Sequence, residues 1–246
     1  RPTGPWTVNF DDSQCVASRD YGSADHPVRL VMKSPAIGNV IQLGVTRSAE
    51  RLDTRDYGAT VAFDEREPIP VTMLAFTATG SNQRAYLANL PVDTLEVLSA
   101  ATNITLKAPG LDEQLSLSGM PQLLKVINEC VSDLRIVWNA GEGAEATKLQ
   151  RPPKAHWEPI LQASHYPGVG DARLFGGAVR VALLIDEAGK LADCTVVESS
   201  GVASLGMQAC ALIAERGKFW PATGADGKAA KSSILKRIDW RPSKPR

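Results

Sequence analysis

The tightest constraint on the fold lies between Tyr166 and Trp240, where the hydrophobic period switches from strand to helix and back. After Tyr166-Pro167, the segment Gly177–Asp186 (GAVRVALLID) places Val179, Val181, Leu183 and Ile185 on one face and Arg180 on the other. That is the two-residue period of a half-buried strand. Glu187-Ala188-Gly189-Lys190 supplies a glycine-containing turn of hairpin length, and Leu191–Ser199 follows with the β-branched run Thr195, Val196, Val197. Ser199-Ser200-Gly201 interrupts this second strand. Leu205, Ala209, Leu212, Ile213 and Arg216 then recur at helical spacing. Phe219-Trp220-Pro221-Ala222 leaves the helix, a turn holding Gly224 and Gly227 follows, and Ser232–Trp240 closes as a strand.

The first half reads differently. Trp6–Phe10, Cys15–Arg19, Val28–Lys33, Asn39–Thr46, Ala59–Asp64 and Ile69–Ala78 are short strand candidates separated by turn residues such as Asp11-Asp12-Ser13 and Glu65-Arg66-Glu67-Pro68. This spacing predicts a β-sandwich or barrel. Asn89–Ala101 departs from it: Pro91 sits near a helix start, and Leu95 and Leu98 have helical spacing. Asn103–Lys107 and Gln114–Leu117 are strands again, around Pro109-Gly110. Ser118–Leu134 is a helix with a stripe of Leu123, Leu124, Ile127 and Val131 and with Pro121 in its first turn. Asn139–Arg151, ahead of Pro152-Pro153, lacks apolar periodicity and reads as a linker. The fold class expected is α+β, with a β-rich, sandwich-like domain over residues 1–138, a linker over 139–155 and a smaller domain over 156–246.

The residues of the smaller domain carry a resemblance. The order Tyr166-Pro167, Gly176-Gly177, Val179, Val181, Asp186, Gly189, Cys194, Val196-Val197, Ser199-Ser200-Gly201, Leu205, Phe219 and Pro221-Ala222, with a last strand ending in Trp240, resembles the C-terminal domain of TonB-type energy transducers. It covers roughly the last third of the chain. The resemblance implies a three-stranded antiparallel sheet with helices on one face, a periplasmic location in Gram-negative bacteria, and contact with outer-membrane transporters. Its partner-binding segment is the closing strand, Lys231, Ser232, Ser233, Ile234, Leu235, Lys236, Arg237, Ile238, Asp239 and Trp240, which at a sheet edge offers bare backbone to an extended peptide. Lys231, Lys236 and Arg237 have a competing role as charges that discourage unwanted edge pairing. The first half resembles, through its early Trp strand, the Cys after it and the late Ser116-Leu117-Ser118-Gly119 block before a helix, the invasion-associated locus B group of periplasmic β-sandwich proteins.

Lys plus Arg and Asp plus Glu number 27 each, so no net field draws nucleic acid or an acidic membrane surface. No apolar run approaches the roughly 20 residues that span a bilayer. The chain starts Arg1-Pro2-Thr3-Gly4, read as a mature or trimmed N-terminus whose export signal or anchor lies outside it. Four cysteines, Cys15, Cys130, Cys194 and Cys210, match no C-x-x-C metal or redox motif. Their even number and division into a distant and a close pair predict disulfides Cys15–Cys130 and Cys194–Cys210, and hence an oxidising compartment.

No catalytic set, cofactor or metal site is expected. His26, His156 and His165 lack ligand spacing, Ser164-His165 forms no nucleophile–base pair by adjacency, and Gly168, Gly170, Gly176 and Gly177 precede a strand where a phosphate loop follows one. The leading expectation is a non-enzymatic periplasmic protein that recruits an outer-membrane TonB-dependent transporter or another envelope protein. The alternatives are a structural envelope-assembly protein, and a hydrolase with its site in a cleft between domains and acids drawn from Asp11, Asp12 or Asp64.

Overall fold

Antiparallel hairpins with short connections account for most of the chain, and their registers show which residues share a face. A computed structural model describes residues 1–38, 40–48, 54–77, 82–140, 149–158, 160, 177–199 and 202–240. Tyr166-Pro167, Ser164-His165, Gly168, Gly170, Gly176, Ser200-Gly201 and residues 141–148 of the expected linker lie outside the described residues. The fold class is α+β. Two compact units are present, one of Arg1–Phe10, Cys15–Ser34 and Asn39–Glu129, the other of Asp11–Gln14, Pro35–Gly38 and Cys130–Arg246.

The first unit is built on β1 (Thr7–Phe10), β2 (Cys15–Gly22), β3 (Pro27–Ser34), β4 (Val40–Ser48), β5 (Arg55–Phe63), β6 (Ile69–Thr77), β7 (Gln83–Pro91), α1 (Thr94–Ala100), β8 (Asn103–Ala108), β9 (Leu111–Ser116) and the first part of α2 (Met120–Val137). Its strands form one sheet in the order β1-β2-β3-β4-β7-β6-β5-β8-β9. The register runs unbroken across strands. Leu30 opposes Val45, Val45 opposes Tyr86, and Tyr86 opposes Ala75. All four are buried, so one face of the sheet is its core.

The sandwich expected from strand spacing is corrected here. A single sheet curls until its far strands meet: the Tyr21 hydroxyl on β2 donates to the Ser116 carbonyl on β9 (2.8 Å), and Arg47 on β4 pairs with Glu113 on β9 (3.3 Å). The Trp6 indole N–H donates to the Ser118 carbonyl just beyond β9 (3.1 Å). Curvature thus buries a face that a sandwich would bury under a second sheet. The helix expected within Asn89–Ala101 is present as α1 and holds Leu95 and Leu98, but it starts later than Pro91 suggested. Asn89, Leu90 and Pro91 belong to β7, where they pair with Gln42, Ile41 and Val40 of β4, and α1 begins at Thr94. Ladder pairing to β4 outweighs a weak local signal.

The second unit takes α2 from Cys130 onward, with β10 (Lys154–Ala155), β11 (Gly177–Ile185), β12 (Leu191–Ser199), α3 (Ala203–Arg216), β13 (Phe219–Trp220), β14 (Ala222–Thr223), β15 (Ala229–Ala230) and β16 (Ser232–Trp240). The end of α2 is capped by Asn139, whose left-handed φ of 47° lets its N–H bond the Ile136 carbonyl while Ala140 N–H reaches the Arg135 carbonyl. That cap sets Trp138, 1% exposed, with its indole N–H on the Asp12 carbonyl at 2.7 Å. The Pro35–Gly38 loop needs its glycine: at Gly38 φ is +100°, and a Cβ there would lie 2.5 Å from the Val197 side chain on β12.

Candidate partner-binding edge

Strand β11 is the centre of a three-stranded antiparallel sheet in the order β12-β11-β16, so β16 is hydrogen-bonded to β11 and, among the described residues, stands at an edge. Register decides where each residue of Lys231–Trp240 points. Ser232, Ile234, Lys236, Ile238 and Trp240 oppose Ile185, Leu183, Val181, Val179 and Gly177, so they share the face that meets α3. There Val179, Val181, Leu183 and Ile185 join Leu205, Ala209, Leu212 and Ile213 in one apolar cluster, completed by Ile238, Trp240 and Ile160. Burial of this face fixes the register of β16, because a slip of one residue would turn Ile238 and Trp240 outward.

The opposite face of β16 carries Ser233, Leu235, Arg237 and Asp239. Leu235 is 49% exposed, and Arg237 is tied to Asp239 on its own strand (2.9 Å). The two lysines put forward from the sequence lie against aromatic rings. Lys236 places its ammonium 4.8 Å from the centre of the Trp157 ring, and Lys231 sits 4.9 Å from that of Trp138. The Lys231 carbonyl also accepts a bond from the Asn139 amide (2.6 Å). Cation–π contacts of this kind anchor the start and the middle of the segment. What the middle of β16 presents outward is therefore backbone, one apolar side chain and an internally satisfied ion pair.

All four cysteines are oxidised, and Cys194–Cys210 joins β12 to the middle of α3 across a separation of 16 residues. The hairpin turn between β11 and β12 is closed by Asp186, whose Oδ1 accepts the Ala188 and Lys190 N–H groups (2.9 and 2.7 Å), with Gly189 at φ +75°.

Of the residues weighed for chemistry, His156, Asp11 and Asp64 make local contacts. Among the described residues no group of His, Cys, Asp and Glu could hold a metal ion. His156 faces Glu158 at 3.6 Å on the surface. Asp11 accepts the Asp12 N–H at 2.7 Å within its turn. Asp64 adopts a left-handed φ of 51° after β5 and accepts bonds from the Thr102 hydroxyl (2.6 Å), Thr102 N–H (3.1 Å) and Asn103 N–H (2.9 Å), fastening the start of β8.

The Thr102 hydroxyl first, then the backbone donors, hold the Asp64 carboxyl below the ordinary carboxylate range. A lowered folded-state pKa means these bonds stabilise the protein above the unfolded pKa and are lost as pH falls through the folded one. Asp64→Asn keeps a residue that tolerates the left-handed turn but removes the charge. Its urea midpoint is expected to fall below that of the wild type at neutral pH, with the gap narrowing in acid. Midpoints measured from pH 7 down to pH 2.5 check this, and a gap independent of pH overturns it.

Neither a curated protein nor a solved structure matches the chain. Residues 162–242, the segment that holds β11, β12, α3 and β16, match the family model of the Gram-negative bacterial TonB protein C-terminal domain.

Proposed function

We propose that the second unit is a protein-binding module of the cell envelope that takes an extended segment of a partner as an added strand along β16. The partner is an outer-membrane TonB-dependent transporter or another envelope protein, and the binding serves energy-dependent transport. The carrying observation is that, among the described residues, β16 pairs with β11 alone in its sheet while its core face is locked by Ile238 and Trp240. A strand at a sheet edge offers backbone donors and acceptors, the surface that strand addition uses. The family match over residues 162–242 supports the class of partner. Oxidised cysteines support the periplasm, where disulfides persist. Among the described residues no helix is long and apolar enough to cross a membrane. The reading assigns no catalytic role.

The test is a titration of the isotope-labelled full chain with peptides taken from the periplasmic ends of outer-membrane transporters, followed through backbone amide resonances. Ser232–Trp240 amides are expected to move most. Methylating two alternate backbone nitrogens of a binding peptide is expected to weaken it about tenfold or more, since each removes a main-chain hydrogen bond. Unmoved β16 amides with a response elsewhere, or indifference to methylation, would overturn strand addition.

A further inference from the structure

The concave face of the curled sheet holds a charge that the sheet does not answer. Arg84 on β7 opposes Arg47 on β4 and Thr77 on β6, so the three side chains form a row on the core face. Arg47 has its counter-charge, Glu113 at 3.3 Å, and also donates to the Gly110 carbonyl. Arg84 has none among the described residues. It is 2% exposed, and its Nε and Nη1 are buried without a hydrogen-bond partner. Among the described residues its Nη2 donates to the Tyr57 hydroxyl (3.2 Å).

The surroundings hold the guanidinium in place without satisfying it. Its carbon lies 5.7 Å from the centre of the Tyr57 ring and 5.3 Å from that of Tyr86. Aromatic faces stabilise a cation but accept no in-plane N–H bond. The Tyr57 oxygen accepts from Arg84, which leaves its own proton to donate. The Tyr86 hydroxyl is directed to the Pro109 carbonyl (3.4 Å). A buried, unpaired guanidinium is costly, and proteins keep one where an anion answers it.

The geometry points to Arg84 as the centre of a binding site for a small oxyanion, a carboxylate or a phosphate group, held by Arg84 Nε and Nη1 with help from the Tyr57 hydroxyl and the neighbouring Arg47. A planar guanidinium presents several donors in a fixed fork suited to either group. Arg47 is already balanced by Glu113, so among the described residues the cluster carries one unanswered positive charge. The site belongs to the first unit and is independent of the strand-addition reading, so either stands if the other fails.

Isothermal calorimetry on the full chain, with inorganic phosphate in one arm and acetate in the other, tests this against sodium chloride at matched ionic strength. Saturable binding of at least one anion is expected, with a parallel rise in thermal midpoint. The arm that responds identifies the group. Both effects are expected to vanish in Arg84→Met, which retains much of the side-chain volume. Should that variant fail to fold, Tyr57→Phe decides, with an expected loss of roughly 2- to 10-fold in affinity from one missing donor. Failure of both anions to exceed chloride, binding that survives Arg84→Met, or an unchanged affinity in Tyr57→Phe each overturns the site.

Discussion

Replacing Trp138 with alanine is expected to lower the unfolding free energy by about 3–5 kcal/mol, the range for deleting a large buried aromatic side chain. Trp138 is among the largest fully buried side chains, and it follows directly on α2. Three distinct losses combine. The cavity removes the apolar burial of an indole, the Asp12 carbonyl loses its 2.7 Å donor, and the Lys231 ammonium loses the ring beneath it. Trp138→Phe separates them, because it keeps most of the ring and removes the N–H. It is expected to cost about 1–2 kcal/mol, the usual effect of losing one buried hydrogen bond and a little volume. Urea unfolding followed by far-ultraviolet circular dichroism measures both. A cost below about 1 kcal/mol for alanine would mean that the site collapses around the cavity and that Trp138 does not hold the second unit together.

The parts of this fold that can be read from residues alone are those whose partners lie nearby in sequence. Val179, Val181, Leu183 and Ile185 fall on the face of β11 that meets the apolar cluster, although Ala182 and Leu184 on its other face are buried too, and Leu205, Ala209, Leu212 and Ile213 fall on one side of α3 because the same cluster receives them. In β7 the pattern is blurred. Arg84, Tyr86, Ala88 and Leu90 face the core, but Ala85 is buried on the other side and an arginine occupies an inward position, so no clean apolar alternation announces a strand. The choice between one curled sheet and two stacked ones depends on bonds such as Tyr21 to Ser116 and Trp6 to Ser118, which join residues 95 and 112 positions apart. Local periodicity carries nothing about them. The same holds at the candidate edge. Lys231 and Lys236 read from the sequence as free edge charges, because nothing in their own strand reveals that Trp138 and Trp157 lie beside them. Arg84 follows the same rule, since its neighbours Tyr57 and Arg47 come from other strands.

Removing the Cys194–Cys210 bond is expected to cost about 3 kcal/mol, the chain-entropy value for a loop of this length. The bond closes the segment that runs from β12 into α3, so an unfolded chain that keeps it has fewer conformations than one that lacks it. In the native state, Cys194 and Cys210 are both partly buried against the apolar cluster, and a Cys194→Ala, Cys210→Ala double variant leaves small side chains where sulfur was packed. Its cost therefore combines the entropic part with a modest packing loss. Comparison of the double variant with the wild type in urea gives the sum, and comparison with Cys194→Ala alone tests whether the second cysteine matters once the bond is gone. The single and double variants are expected to agree within about 1 kcal/mol, because the crosslink is lost in both. The loss also bears on the proposed edge. β16 is held to β11 by backbone pairing and by Ile238 and Trp240, not by the disulfide, so the double variant is expected to keep peptide affinity within a few-fold wherever it remains folded. A variant that is fully folded yet no longer binds would place the partner's contact on the β12–α3 side of the sheet and overturn the assignment of β16.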